Sequence, residues 1–147
     1  MRKRRGFTLV ELAIVIAILG ILALYAIPKY QGMVEEARSA EARAQLGSVR
    51  SALGIYYAKN HGTFPAALDG TLFAEGSVPQ VEITVSGSPS RSNAVATGDA
   101  DGVVEPATEV TNAGGYVYDV NGTRTQADVR LNSSDTDPVT TKHWYEY

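Results

Sequence analysis

The side chains able to do chemistry in this chain of 147 residues are few. Cysteine is absent, and the two histidines, His61 and His143, stand far apart with no motif around either. No nucleophile elbow, zinc-binding His-Glu-x-x-His or P-loop is present. Gly98-Asp99-Ala100-Asp101-Gly102 has the glycines of a phosphate loop but not its lysine and hydroxyl. The sequence therefore predicts no catalytic residue, no ATP hydrolysis and no required cofactor. Oxygen donors are what remain. Asp99 and Asp101 form an Asp-x-Asp-Gly fragment like the start of a calcium loop, without the distant bidentate glutamate. Ser133, Asp135 and Asp137 offer hydroxyl and carboxylate oxygens suited to the same hard cation. Ca²⁺ is the one candidate cofactor, at Ser133, Asp135 and Asp137 first and at Asp99 and Asp101 second; the alternative for both is a solvated acidic turn.

The other displaced carboxylate is Glu11, the only group ionising below pH 9 in the apolar run Phe7–Ile27. As a helix this run extends roughly 32 Å, enough to cross the hydrocarbon core of a bilayer. Arg2, Lys3, Arg4 and Arg5 precede it, which predicts a cytoplasmic N-terminus and an exported remainder. A carboxylate inside a spanning helix costs about 2.5–3.5 kcal/mol on insertion scales and asks for a partner. Either Glu11 snorkels or is protonated, or a cation meets it from another chain.

Gly6-Phe7-Thr8-Leu9-Val10-Glu11-Leu12, behind its basic leader, resembles the class III signal of type IV pilins and pseudopilins. The resemblance implies that a prepilin peptidase cuts between Gly6 and Phe7 and that Phe7 is then N-methylated. It also implies that Glu11 meets the amine of Phe7 on a neighbouring subunit, where two buried charges answer each other. Gly20 and Pro28 match the family pattern too, and imply a stretch that bends or unwinds on assembly. Glycine and proline are the residues that weaken a helix interior. The partners implied are further copies of the chain in a homopolymer, the peptidase, an inner-membrane platform with its ATPase motor, and membrane lipid before assembly. The location implied is the bacterial inner membrane for the precursor, then an extracellular pilus or a periplasmic pseudopilus.

Composition bears on these expectations. The formal charge is −3, from thirteen Lys and Arg against sixteen Asp and Glu. Without the four leader cations, nine stand against sixteen, near −7, which argues against direct DNA binding. The absence of cysteine departs from those type IV pilins that close a C-terminal loop with a disulfide. Major pseudopilins are similar in carrying a Ser- and Asp-rich calcium loop near the position of Ser133–Asp137.

The elements that must position these residues follow in order. Residues 1–6 read as a cleaved leader, 7–27 as the transmembrane or filament-core helix, 28–62 as its amphipathic continuation and 63–147 as a β and loop head. Ala42, Leu46, Val49, Leu53 and Tyr56 recur on one helical face. The helix is expected to end near Asn60-His61-Gly62, with Gly62 as left-handed cap. Residues 56–65 also resemble the way pilins leave this helix. Val81–Val85 alternates as a strand. Tyr116–Val120, a type I′ turn at Asn121-Gly122 and Thr123–Leu131 read as a hairpin. His143–Tyr147 is expected to be a last strand, while Ser86–Asn93 and Thr97–Asn112 read as loops. Asn121 and Asn132 head Asn-x-Ser/Thr patterns read as ordinary turn sequence.

The expected fold is α+β and pilin-like: one long N-terminal α-helix with a small C-terminal antiparallel β-sheet domain. The expected function is a structural subunit of a type IV pilus-like filament. The alternatives are a pseudopilin of a type II secretion or competence system, and a membrane-anchored binding module that never polymerises.

Overall fold

A computed structural model of the chain describes residues 6–147. The basic flank Arg2–Arg5 lies outside the described residues. Helix α1 runs from Leu9 to Lys59, 51 residues with Pro28 inside it. The chain divides into one unit ending at Glu35 and a second from Glu36 to Tyr147.

In the first unit every described side chain from residue 6 to residue 33 is exposed, Leu9 at 87% and Leu24 at 78% among them. An apolar helix with no partner among the described residues is a surface made for lipid or for other helices. The helix starts at Leu9 because Thr8 caps it: the Thr8 hydroxyl accepts from the Glu11 N–H at 3.2 Å, and Glu11 Oε2 accepts from the Thr8 N–H at 2.9 Å. This is a capping box, a polar side chain and a glutamate three residues on satisfying each other's backbone N–H.

In the second unit Ala42, Leu46, Val49 and Leu53 are buried as their spacing requires, and Ser39 extends the buried stripe upstream. Tyr56, expected on the same face, is only half-buried. The helix ends in a six-residue Schellman bond, the Gly62 N–H to the Tyr57 carbonyl at 3.0 Å. His61 takes the first left-handed position at φ 55° and Gly62 follows at φ 80°, so the cap begins one residue earlier than expected.

Five strands follow: β1 (Val81–Val85), β2 (Ser88–Ser92), β3 (Val95–Thr97), β4 (Tyr116–Val120) and β5 (Ala127–Leu131). β1 and β2 form an antiparallel hairpin. In the second sheet β4 pairs antiparallel with β5 and parallel with β3. Tyr116 and Tyr118 of β4 join Leu131, Val129, Trp144 and the buried helix stripe in one core. The Tyr118 hydroxyl donates to the Pro65 carbonyl at 2.8 Å. Burial pushes both tyrosines up to about 12, so they serve the core as neutral aromatics.

Four local expectations are corrected. The type I′ turn is at Ser86-Gly87, whose φ values are 52° and 76°, between the paired Val85 and Ser88. Segment 86–93 is therefore mostly strand, and Pro89 is tolerated because β2 is an edge. At Asn121-Gly122 the two-residue type I′ turn gives way to a longer loop: the Arg124 N–H bonds the Asn121 carbonyl at 2.8 Å and the Asn121 N–H reaches the Gln126 carbonyl at 3.0 Å. Asn121 Oδ1 also accepts from the N–H groups of Thr125 (2.9 Å) and Gln126 (3.2 Å), and strand pairing begins at Ala127. Segment 97–112 is not wholly a surface loop, since it opens on the end of β3 and buries Gly102, Val104 and Glu109. The C-terminal aromatics form a 3₁₀ turn, Trp144–Glu146, rather than a strand.

One test follows from the hairpin. Gly87→Ala lowers thermal stability by about 1–2 kcal/mol, the cost of an L-residue held left-handed. Its Cβ would meet nothing within 4 Å, so the loss is purely of backbone origin. An unchanged melting temperature would remove the turn assignment.

Candidate functional site

Gly6, Phe7, Thr8 and Glu11 are all exposed at the head of α1, and Phe7 is 78% exposed. Gly6 and Phe7 precede the first helical residue, exposed and outside regular secondary structure. The Glu11 carboxylate has a partner that sequence reasoning missed: Oε2 also accepts from the Thr8 hydroxyl at 2.8 Å. The signal was present in Thr8-Leu9-Val10-Glu11, a capping-box spacing ahead of an apolar run. One carboxylate oxygen is thus held by Thr8 while Oε1 accepts no bond among the described residues. The group is oriented and has capacity left for a cation. Gly20 and Pro28 both sit within unbroken helix here. An added Cβ at Gly20 would meet nothing within 4 Å, so space does not demand that glycine.

The acidic residues of the head have structural partners. Asp99, Asp101 and a residue not singled out by sequence, Asp119, bring carboxylate oxygens within 4.8 Å of one another. Asp119 is buried and accepts from Ala100 N–H (2.7 Å), Gly102 N–H (2.6 Å) and Val103 N–H (3.1 Å). Burial works to raise its pKa, but these N–H donors together with Asp101 outweigh it and hold the carboxyl below its ordinary value. Glu109 fastens the same segment, accepting from the N–H groups of Asp99 and Glu105. Asp101 closes a turn onto the Val103 N–H at 2.8 Å. The converging N–H dipoles already supply the positive charge that Asp119 answers. Together these carboxylates clamp the cover of β4.

Ser133, Asp135 and Asp137 each bond to a different part of the head, and the Ser133 hydroxyl also accepts from the Asp135 N–H at 3.1 Å. The Ser133 hydroxyl donates to the Thr84 carbonyl at 2.6 Å. Asp135 Oδ2 accepts from the Gly87 N–H of the β1–β2 turn at 2.7 Å. Asp137 is fully buried, and its Oδ2 accepts from three hydroxyls: Ser39 (2.7 Å), Tyr147 (2.8 Å) and Thr140 (2.9 Å). Its Oδ1 accepts from the Val139 N–H at 3.0 Å. Burial again pushes upward, and Ser39, Val139, Tyr147 and Thr140 together bring the pKa below the ordinary value. Arg50 reaches the main-chain oxygens of Tyr147 and of Val129, the latter at 3.0 Å. Arg43 lies over the Tyr147 ring, 5.8 Å from its centre. In a chain without cysteine, Asp137 clasps the C-terminal segment to α1. Asn132 is fully buried and bonded to Thr111, which closes that acceptor pattern to modification.

A family model described as the prokaryotic N-terminal methylation motif matches residues 1–27. The chain is 36% identical over 101 residues to the fimbrial protein EcpC of Eikenella corrodens, covering 69% of this chain and 60% of that one. It is 48% identical over 62 residues to the type IV major pilin protein PilE1 of Neisseria gonorrhoeae, covering 42% of this chain and 37% of that one. Over 63 residues it is 48% identical to a fimbrial protein of Neisseria meningitidis serogroup A, covering 43% of this chain and 36% of that one. The chain thus matches between about a third and three-fifths of the length of these curated relatives. No solved structure matches it. The relatives are named as fimbrial and pilin proteins, which are structural and not enzymes. With the methylation motif at its N-terminus and these relatives beyond it, the chain belongs to the type IV pilin family.

Proposed function

We propose that this chain is a structural subunit of a type IV pilus-like filament. The observation that carries the reading is α1 up to residue 33, apolar and exposed throughout behind a methylation motif. In this reading residues 1–6 are a leader that a prepilin peptidase removes between Gly6 and Phe7, and Phe7 is then N-methylated. Residues 7–27 rest in the cytoplasmic membrane with the N-terminus inside and the head, residues 63–147, exported. An inner-membrane platform with an ATPase motor then lifts the subunit from the lipid into a homopolymer. There residues 7–27 pack against their equivalents and 28–62 carry the head. Glu11 meets the amine of Phe7 on a neighbouring copy through the oxygen that Thr8 leaves free. Burial of the Leu and Ile side chains supplies most of the cohesion, at roughly 1.5–3 kcal/mol per fully buried side chain. The ion pair sets register and orientation. Gly20 and Pro28 let the intervening helix bend as neighbours close in. The filament reading requires no cation; Ca²⁺ at Asp99 and Asp101 or at Ser133, Asp135 and Asp137 would be a property of the head alone.

Intact-mass and N-terminal sequencing of the chain recovered from a host expressing a prepilin peptidase test this. The expected product starts at Phe7 and carries one added methyl group. An intact leader would sink the reading and favour a membrane-anchored module that does not polymerise. A second reading, a pseudopilin of a type II secretion or competence system, is favoured by the absence of cysteine and the acidic C-terminal loop. Long surface filaments released by shearing and containing this chain favour the pilus; their absence beside normal processing favours the pseudopilus.

A further inference from the structure

A second site lies in the head, away from both carboxylate clamps. A cleft of about 610 Å³ opens between α1, the segment 73–80 and the end of β2. That volume falls within the range of small-molecule sites, roughly 300–1,000 Å³. Glu41, Gln45 and Ser48 form one wall, at helical spacings that put them on one face. Gln80, Arg91 and Asn93 line the cleft as well. Its apolar part is Phe73 with Val78 and Pro79 beside it.

The cleft is built before any ligand arrives. Asp69 caps the 3₁₀ turn Gly70–Leu72 by accepting from the Thr71 N–H at 2.9 Å. Phe73 bonds back to the Gly70 carbonyl, and Gly76 to the Phe73 carbonyl, each at 3.1 Å. Gly70 and Gly76 pack so closely that a Cβ on Gly70 would stand 2.1 Å from the Gly76 carbonyl oxygen. The Asn93 amide holds the Val78 carbonyl at 3.4 Å. A wall pinned at these points loses little freedom on binding.

We propose that this cleft binds a neutral saccharide. Planar amides offer a donor and an acceptor side by side, which is what adjacent ring hydroxyls require, and carboxylates add acceptors. The side chains of Gln45 and Gln80 make no hydrogen bond to other described residues, so they are free for a ligand. The apolar strip at Phe73 suits the C–H face of a sugar ring. Charge separates this class from others. The one guanidinium, Arg91, is already shared between Glu82 at 3.2 Å and Glu41 at 3.7 Å. With Glu41 and Glu75 also on the rim, an anionic ligand meets net repulsion.

The test uses the full chain in a zwitterionic detergent without a sugar headgroup, with saturation-transfer NMR as readout. The probes are lactose, N-acetylglucosamine and methyl α-mannoside, with sialic acid as the anionic comparison. The expected result is transfer to the ring protons of at least one neutral sugar and none to sialic acid. Gln45→Trp, which fills the cleft, abolishes it. Gln80→Ala, on the exposed wall, weakens binding by about tenfold, equivalent to one hydrogen bond of about 1.4 kcal/mol. Should Gln45→Trp fail to fold, Gln80→Ala carries the test. Transfer to none of the neutral sugars, equal transfer to sialic acid, or unchanged binding in whichever variant folds would overturn the proposal.

Discussion

Asp137→Ala lowers the stability of the head by about 3 kcal/mol or more, and its melting temperature by about 10 °C. The substitution removes one small side chain and takes the acceptor from four donors, the hydroxyls of Ser39, Thr140 and Tyr147 and the Val139 N–H. Thr140 and Tyr147 keep each other and Val139 is exposed, so the heaviest loss falls on Ser39. Each buried donor left without an acceptor costs about 1–3 kcal/mol, partly recovered where a hydroxyl can turn to water. Ser39, itself buried, cannot turn far. A thermal melt of the full chain in detergent measures the loss. A shift of only a degree or two would mean that the clasp is decoration on a fold held by the apolar core alone.

The same carboxylate sets an acid limit. Its folded pKa lies below the unfolded value of about 3.9, so its contribution is complete above that value. The contribution is lost as pH falls through the folded pKa, and stability therefore declines below about pH 4. Asp119 is depressed in the same direction and adds to the decline. Asp137→Asn flattens part of the acid limb of a melting-temperature profile, and Asp119 keeps the rest.

Glu11→Ala leaves cleavage after Gly6 largely intact and abolishes filaments. On the proposed function the peptidase acts on the Gly6–Phe7 bond, which lies ahead of the helix that holds Glu11. Assembly loses more. In the proposed filament, each incoming Phe7 amine without Glu11 would be an unanswered cation in an apolar bundle, where breaking one partner of a buried pair costs about 3–5 kcal/mol. Repeated at every subunit, that penalty stops growth. The experiment counts sheared filaments and sequences the N-terminus of the membrane fraction from the same cells. Normal filament yield would refute the pairing; loss of cleavage would move Glu11 into peptidase recognition.

What the sequence made legible follows from how local each feature is. α1 was readable because apolar length and 3.6-residue spacing are properties of neighbours along the chain. β1 was readable for the same reason, through alternation in Val81–Val85, and β4 was read through the Asn121-Gly122 that follows it. β2 was not, because Ser-Pro-Ser-Arg-Ser has no apolar face and is a strand only by virtue of the turn that returns it to β1. The three-residue β3 pairs parallel to β4 across a long connection, which no local pattern encodes. Asn121-Gly122 misled because the Asn121 side chain captured backbone N–H groups that a tight turn would have paired across strands. Of the candidate site, Gly6, Phe7 and Glu11 stood in a contiguous motif. Asp119 and Asp137 took their structural roles from partners distant in sequence, Asp119 from the segment 100–103 and Asp137 from Ser39, so no local pattern announced them.

The clasp at Asp137 also has a mechanical side. It joins Ser39 to a residue 98 positions later, a separation that a disulfide would close by constraining the unfolded chain. A carboxylate and hydroxyls impose no such constraint: they act only in the folded head and vanish when it opens. Under tension along a filament, such a fastening would yield and then re-form without any redox partner. A head closed this way can be stretched, released and stretched again, its recovery limited by refolding alone.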